Sequence, residues 1–144
     1  MTSLDVVNNA FLSKILEDEW ESWEEEEMKE DWRTLLDGAL TWFKFPRVSL
    51  DIDEVEESFV EDLNNDEIQI LATYMKCEWL NRTILTWENV KPLYDERDFS
   101  QANLLDKFNA MLAAEQKNAG RLESIYYRSV NKKPFPYRSL AEQG

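Results

Sequence analysis

Histidine is missing from the 144-residue chain and cysteine occurs once. Without histidine no Ser-His-Asp or Cys-His relay can be assembled, and no zinc or iron site that uses imidazole. The lone Cys77 excludes an internal disulfide and a thiolate-only metal site. Its setting between Met75 and Leu80 suits a small buried hydrophobe better than a reactive thiol. Glycine is found only at positions 38, 120 and 144, so no glycine-rich phosphate loop can be built. With four prolines as well, the chain lacks the turn residues of a sandwich or barrel and favours long helices. No signal-type leader and no apolar run of about 18 residues is seen, which leads us to expect a soluble protein made in a reducing cytoplasm, without a membrane partner. The glycosylation-like triplet Asn81-Arg82-Thr83 then carries no meaning.

What is present is a composition that can fold: 43% hydrophobic and 12% aromatic residues, in a length that fits one domain. Carboxylates are the only abundant chemistry, thirty of them, so chance pairs are plentiful and carry no signal for a glycosidase-like acid–base couple. The run Asp51-Ile-Asp-Glu-Val-Glu has the look of a calcium loop, yet its glycine is missing and Asp62 stands where a closing Glu is required. We therefore expect no enzyme, no cofactor and no metal.

Charge is divided along the chain. Residues 1–63 hold nineteen acids against five bases, which accounts for the whole net charge of −14, while residues 64–144 hold eleven of each. The end is basic: Arg128, Lys132, Lys133 and Arg138 stand against Glu142. Such asymmetry favours head-to-tail contact between copies, or a partner of opposite charge, and opposes tight wrapping of nucleic acid.

Helical periodicity dominates the pattern. Leu12, Leu16, Trp20 and Trp23 predict an amphipathic helix over 9–28, with Glu24 to Glu27 on its solvated side. A broader stripe, Trp32, Leu35, Leu36, Ala39, Leu40 and Phe43, follows after a break placed near 28–31. Pro46 stops it. Val48, Leu50 and Ile52 alternate with polar residues, and with Ser58 to Leu63 they predict a small β arm or hairpin within 46–63. Asn64-Asn65-Asp66-Glu67 opens the next helix. That helix, residues 66–90, carries apolar residues on more than one side and is the candidate central helix. Asp98-Phe99-Ser100-Gln101 resembles a capping box before a helix of residues 100–128. Together the two predict an antiparallel hairpin within 65–128, with Trp79 buried against the second helix. The expected fold is mostly α: one helical domain over 1–128, including acidic helices over 9–43, built around this hairpin with a small β arm.

Residues 129–144 cannot be helical through Pro134 and Pro136 and read as an extended arm. Its basic residues with Arg128, and its anchors Phe135, Tyr137 and Leu140, make it the candidate docking element.

Three segments together resemble the head-to-tail adaptor, or neck, proteins of tailed bacteriophages. They are Trp32-Arg-Thr-Leu-Leu-Asp-Gly-Ala-Leu-Thr-Trp-Phe-Lys-Phe-Pro-Arg, Asp66-Glu-Ile-Gln-Ile-Leu-Ala-Thr-Tyr-Met-Lys-Cys-Glu-Trp-Leu and Asp98-Phe-Ser-Gln-Ala-Asn-Leu-Leu-Asp-Lys. Tyr126-Tyr127-Arg128 stands where the long helix of such proteins ends in Tyr-x-Arg. The resemblance spans about residues 30–130. It implies a virion protein, assembled in the host cytoplasm, that forms a ring in the neck, usually of twelve copies, between the portal and the next tail or stopper protein. DNA would pass through the ring without specific binding, past an acidic surface that does not hold a polyanion. The competing expectation is an acidic soluble mimic of DNA that inhibits a host nucleic-acid enzyme.

Overall fold

The computed structural model describes residues 1–15, 19–90 and 99–129. Among them are four helices, α1 (Leu4–Leu12), α2 (Glu25–Trp42), α3 (Asn65–Val90) and α4 (Phe99–Ser129). Three two-residue strands, β1 (Thr2–Ser3), β2 (Ile52–Asp53) and β3 (Ser58–Phe59), complete the fold. It is mostly helical, with the long α3–α4 pair packed together as the sequence predicts.

Each helix start has a local cause. Ser3 caps α1, its hydroxyl accepting from the backbone N–H of Asp5 at 3.2 Å. Glu25, Glu26 and Glu27 fill the first turn of α2, where the helix dipole favours negative charge. At the start of α3 a reciprocal capping box forms: Asn64 Oδ1 accepts from the Glu67 N–H and Glu67 Oε1 from the Asn64 N–H, both at 2.8 Å. Helix α2 ends at Trp42, whose carbonyl would need an N–H that Pro46 lacks.

Helix α3 is the centre. From Glu67 to Leu80 none of its residues is fully exposed, because α1, α2 and α4 all pack against it. Ion pairs and hydrogen bonds fix the directions. Asp31 with Arg82 and Trp42 with Glu78 make α2 antiparallel to α3. Lys76 with Glu115 and Glu67 with Tyr126 do the same for α4. Gly38 lets α2 approach: a Cβ there would lie 2.7 Å from the Glu78 carboxyl. The core between the layers includes Val7, Phe11, Leu36, Ala39, Phe59, Ile70, Leu71, Met75, Leu80 and Tyr126.

The strands form one antiparallel sheet in the order β1-β3-β2, with Thr2 and Ile52 both opposite Phe59. The loop between β2 and β3 begins with Asp53, whose Oδ1 accepts from the N–H groups of Val55 and Glu56. It closes at Glu57 in the left-handed region, φ 51°. A hairpin in this region is therefore present, but shorter than the alternation predicts. Val48 and Leu50 pack partly on the core without ladder partners, and the N-terminal β1 was not foreseen.

The predicted N-terminal helix boundaries are corrected. Residues 9–28 are not one helix: α1 ends at Leu12, and residues 28–31 lie inside α2 instead of at a break. Residues 19–23 form turns that bury Trp20 by folding back, its ring edge-on to Phe11 and Trp32. The same tryptophan at helical spacing from Trp23 is thus a tertiary anchor, and Leu16 lies outside the described residues. The acids 24–27 mark a helix start instead of a mid-helix face.

Trp79 is buried at 5% exposure, as expected. Its indole N–H donates to Glu19 Oε2 at 2.9 Å, so its polar edge reaches the α1–α2 connection. Trp79→Ala is expected to cost about 3–5 kcal/mol as a large-to-small core change. Urea melts check this, and a loss below about 1 kcal/mol would contradict the packing.

Candidate docking surfaces and the internal clamp

Where the α1–α2 connection meets the helices, charged groups converge. Asp31 receives Trp20 Nε1 at 2.7 Å and both terminal nitrogens of Arg82, at 2.6 and 3.0 Å. Glu19 receives Trp79 and also approaches Arg82, at 3.7 Å. Two carboxylates and one fork-shaped cation thereby tie the turn at 19–20 to α2 and α3. Every polar group in this cluster has a protein partner, which makes it a clamp.

A second charged cluster surrounds an open cavity of about 320 Å³ whose lining includes Asp5, Asn8, Lys29, Arg33, Glu54 and Glu57. Arg33 forks onto Glu54 at 2.7 and 2.8 Å and reaches Asp37 at 2.8 Å. The hydrogen bond from Arg33 lowers the Glu54 carboxyl below its ordinary range. Lys29 is raised by the nearby Asp5, then by Glu57 and Glu25. These exposed pairs link α2 to the β2–β3 loop, and solvent screening leaves them weak. Among the described residues no three His, Cys, Asp or Glu side chains are grouped to hold a metal ion.

At the far end of α2 the surface changes character. Phe45 is 70% exposed and Trp42 is 49% exposed. Trp42 stacks on Tyr74 at 6.4 Å between ring centroids, and Phe45 lies edge-on to Tyr127, also at 6.4 Å. Lys44, Phe45, Pro46, Arg47 and Tyr127 line an open groove of about 460 Å³. Beneath it, Tyr126 donates to Glu67 Oε2 and accepts from the Arg47 N–H, both at 2.7 Å, which pins this segment to α3 and α4. Glu123 adjoins, its carboxyl raised by burial. Lys44 and Arg47 are exposed and form no ion pair within the described residues.

Of the predicted docking residues, Arg128 is exposed in the last turn of α4. Lys132, Lys133, Phe135, Tyr137, Arg138 and Leu140 lie outside the described residues, as do Lys91 to Asp98 and hence the capping Asp98. Lys44-Phe45-Pro46-Arg47 adds a surface that the helix-stopping role of Pro46 does not by itself indicate. The signal was there: two of the five bases of the acidic half flank one aromatic residue.

No protein-family model matches the chain, and no curated protein and no solved structure matches it significantly. No helix among the described residues is long and apolar enough to cross a membrane.

Cys77 is buried, and burial, reinforced by Glu115 and Glu78, pushes its thiol up to about 12. Tyr74 and Tyr126 are raised for the same main reason. Groups that hold their protons more tightly when folded contribute stability below their unfolded pKa values and lose it as pH rises. Stability should therefore fall between the ordinary thiol value of 9.0 and about 12, read as a dropping urea midpoint. Alkylation of native protein at pH 8 should be slow and should accelerate on unfolding.

The clamp gives a separate test. Asp31→Ala removes the acceptor of Trp20 and Arg82 and is expected to cost about 1.5–3 kcal/mol. In a double-mutant cycle with Arg82→Ala the losses should be clearly less than additive, as urea melts followed by tryptophan fluorescence will report.

Proposed function

We propose that this protein is a non-enzymatic building block of a virion: a head-to-tail connector of a tailed bacteriophage, assembled as a ring between the portal and a tail or stopper protein. The observation that carries the reading is a helix pair that outruns its cover. Helices α3 and α4, of 26 and 31 residues, extend roughly 39 and 46 Å. Helix α2 spans roughly 27 Å and meets α3 only as far as Arg82 through its named contacts. Near and beyond that point Met111 and Leu85 are exposed, and Ile84 is the last buried residue of α3 among those whose burial is described. An assembly protein uses such uncovered apolar length against neighbouring subunits. The resemblance over residues 30–130 names the kind of assembly, and the excess of acids in residues 1–63 suits a channel that DNA must slide past. The clamp and the Arg33 network fit the same reading, since their charged groups are spent on holding the bundle.

In this reading residues 129–144 form an arm that docks along a neighbouring subunit or the portal, with Phe135, Tyr137 and Leu140 as anchors. Quantitative mass spectrometry of purified particles should then find many copies of the protein. Deleting residues 130–144 should leave helicity and melting of the isolated protein nearly unchanged and abolish its incorporation. Absence from particles, or one copy per particle, would overturn the connector reading. Normal incorporation of the shortened chain would overturn the arm.

A further inference from the structure

Helix α2 separates two surfaces that one molecule cannot bring together. At its N-terminal end, Trp23 is 36% exposed and Glu24, Glu25, Glu26 and Glu27 are all exposed. Among the described residues only Glu25 of these has an ion-pair partner, a loose one with Lys29 at 3.6 Å. The C-terminal end carries Phe45, the most exposed aromatic of the described chain, between Lys44 and Arg47, which form no ion pair within the described residues. Eighteen residues of helix hold the two ends roughly 27 Å apart.

We propose that these ends are the two halves of one interface, and that the groove at Lys44, Phe45 and Arg47 receives the Trp23–Glu27 segment of a second copy of this chain. The chemistry matches part by part. The acids would pair with Lys44 and Arg47, the indole of Trp23 would meet Phe45 or lie against a cation, and both surfaces are already exposed in the free chain. The groove is rigid enough to select a partner, because the Arg47 N–H, Tyr126 and Glu67 fix the backbone behind it. Nucleic acid fits less well: stacking and two cations would serve it, but the remaining charge of the chain repels a polyanion. The chain's own residues 129–144 bear the same sign as the groove.

A contact between different surfaces of identical subunits is heterologous, and repeats until it closes into a ring or grows as a filament. This inference deepens the ring reading and rests on it only for the biological setting; the contact itself is a property of the isolated protein.

The test is sedimentation velocity over a concentration series into the millimolar range, with circular dichroism to verify folding. The wild type should self-associate. Lys44→Glu with Arg47→Glu should weaken association by about tenfold or more, since like charges would then face each other. Glu25→Lys with Glu26→Lys should weaken it similarly, while an equimolar mixture of the two double variants should regain association, since each end of one variant then meets an end of opposite charge on the other. Phe45→Ser should weaken association even at high salt, where the charge pairs are screened. No association of the wild type, or association that survives the Lys44/Arg47 exchange, would overturn the proposal. So would capture of a single-stranded oligonucleotide by the groove in place of a second copy. Failure here with many copies still present in particles would reject this contact and leave the connector reading standing; absence from particles with intact self-association would do the reverse.

Discussion

Helix α3 has no face to leave in water along most of its length, and the rest of the fold follows from covering it. Apolar residues all around a helix demand neighbours all around. Helices α1, α2 and α4 supply them, and a short sheet seals the end near Phe59, which is itself fully buried. The hydrophobic gain drives this wrapping but does not set its register. Register comes from polar groups at the seams: Asp31 with Arg82 against α2, and Glu67 with Tyr126 against α4.

Glu67 links local and long-range order. One carboxylate oxygen caps α3 and the other accepts from Tyr126, whose hydroxyl in turn accepts from the N–H of Arg47. A helix start, the end of α4 and the loop after α2 thus meet at a side chain only 1% exposed. A buried carboxylate is tolerated because both of its oxygens are bonded. The consequence is that the exposed groove at 44–47 rests on a fixed base, although the loop carrying it has no regular secondary structure.

Charge does two different things in this molecule. Inside, it is paired and positions segments. Outside, at the two ends of α2, most of it has no ion-pair partner among the described residues and stands beside exposed aromatic rings. The first kind stabilises the chain as a single body.

Much of this was legible in the residues. The hairpin of α3 and α4, the start of α3 at Asn64, the end of α2 before Pro46 and a short β arm follow from periodicity, capping and proline chemistry, which act within a few residues. The N-terminal region was not legible in the same way. Spacing places Leu12, Trp20 and Trp23 on one helical stripe, and spacing alone cannot tell a continued helix from a chain that turns back to bury Trp20 against Phe11 and Trp32. Strand β1 was invisible because two residues have no periodicity, and only the nearby edge of β3 makes them a strand.

The sequence by itself therefore determined the helical class, the central role of α3 and the uneven charge, since each depends on residue type and near neighbours. Only tertiary structure decided that Trp79 faces Glu19, that Tyr126 locks Glu67, and that Lys44 and Arg47 have no ion-pair partner among the described residues. Those outcomes depend on which distant carboxylates and hydroxyls the packed helices bring within hydrogen-bonding reach, and no local pattern encodes that distance.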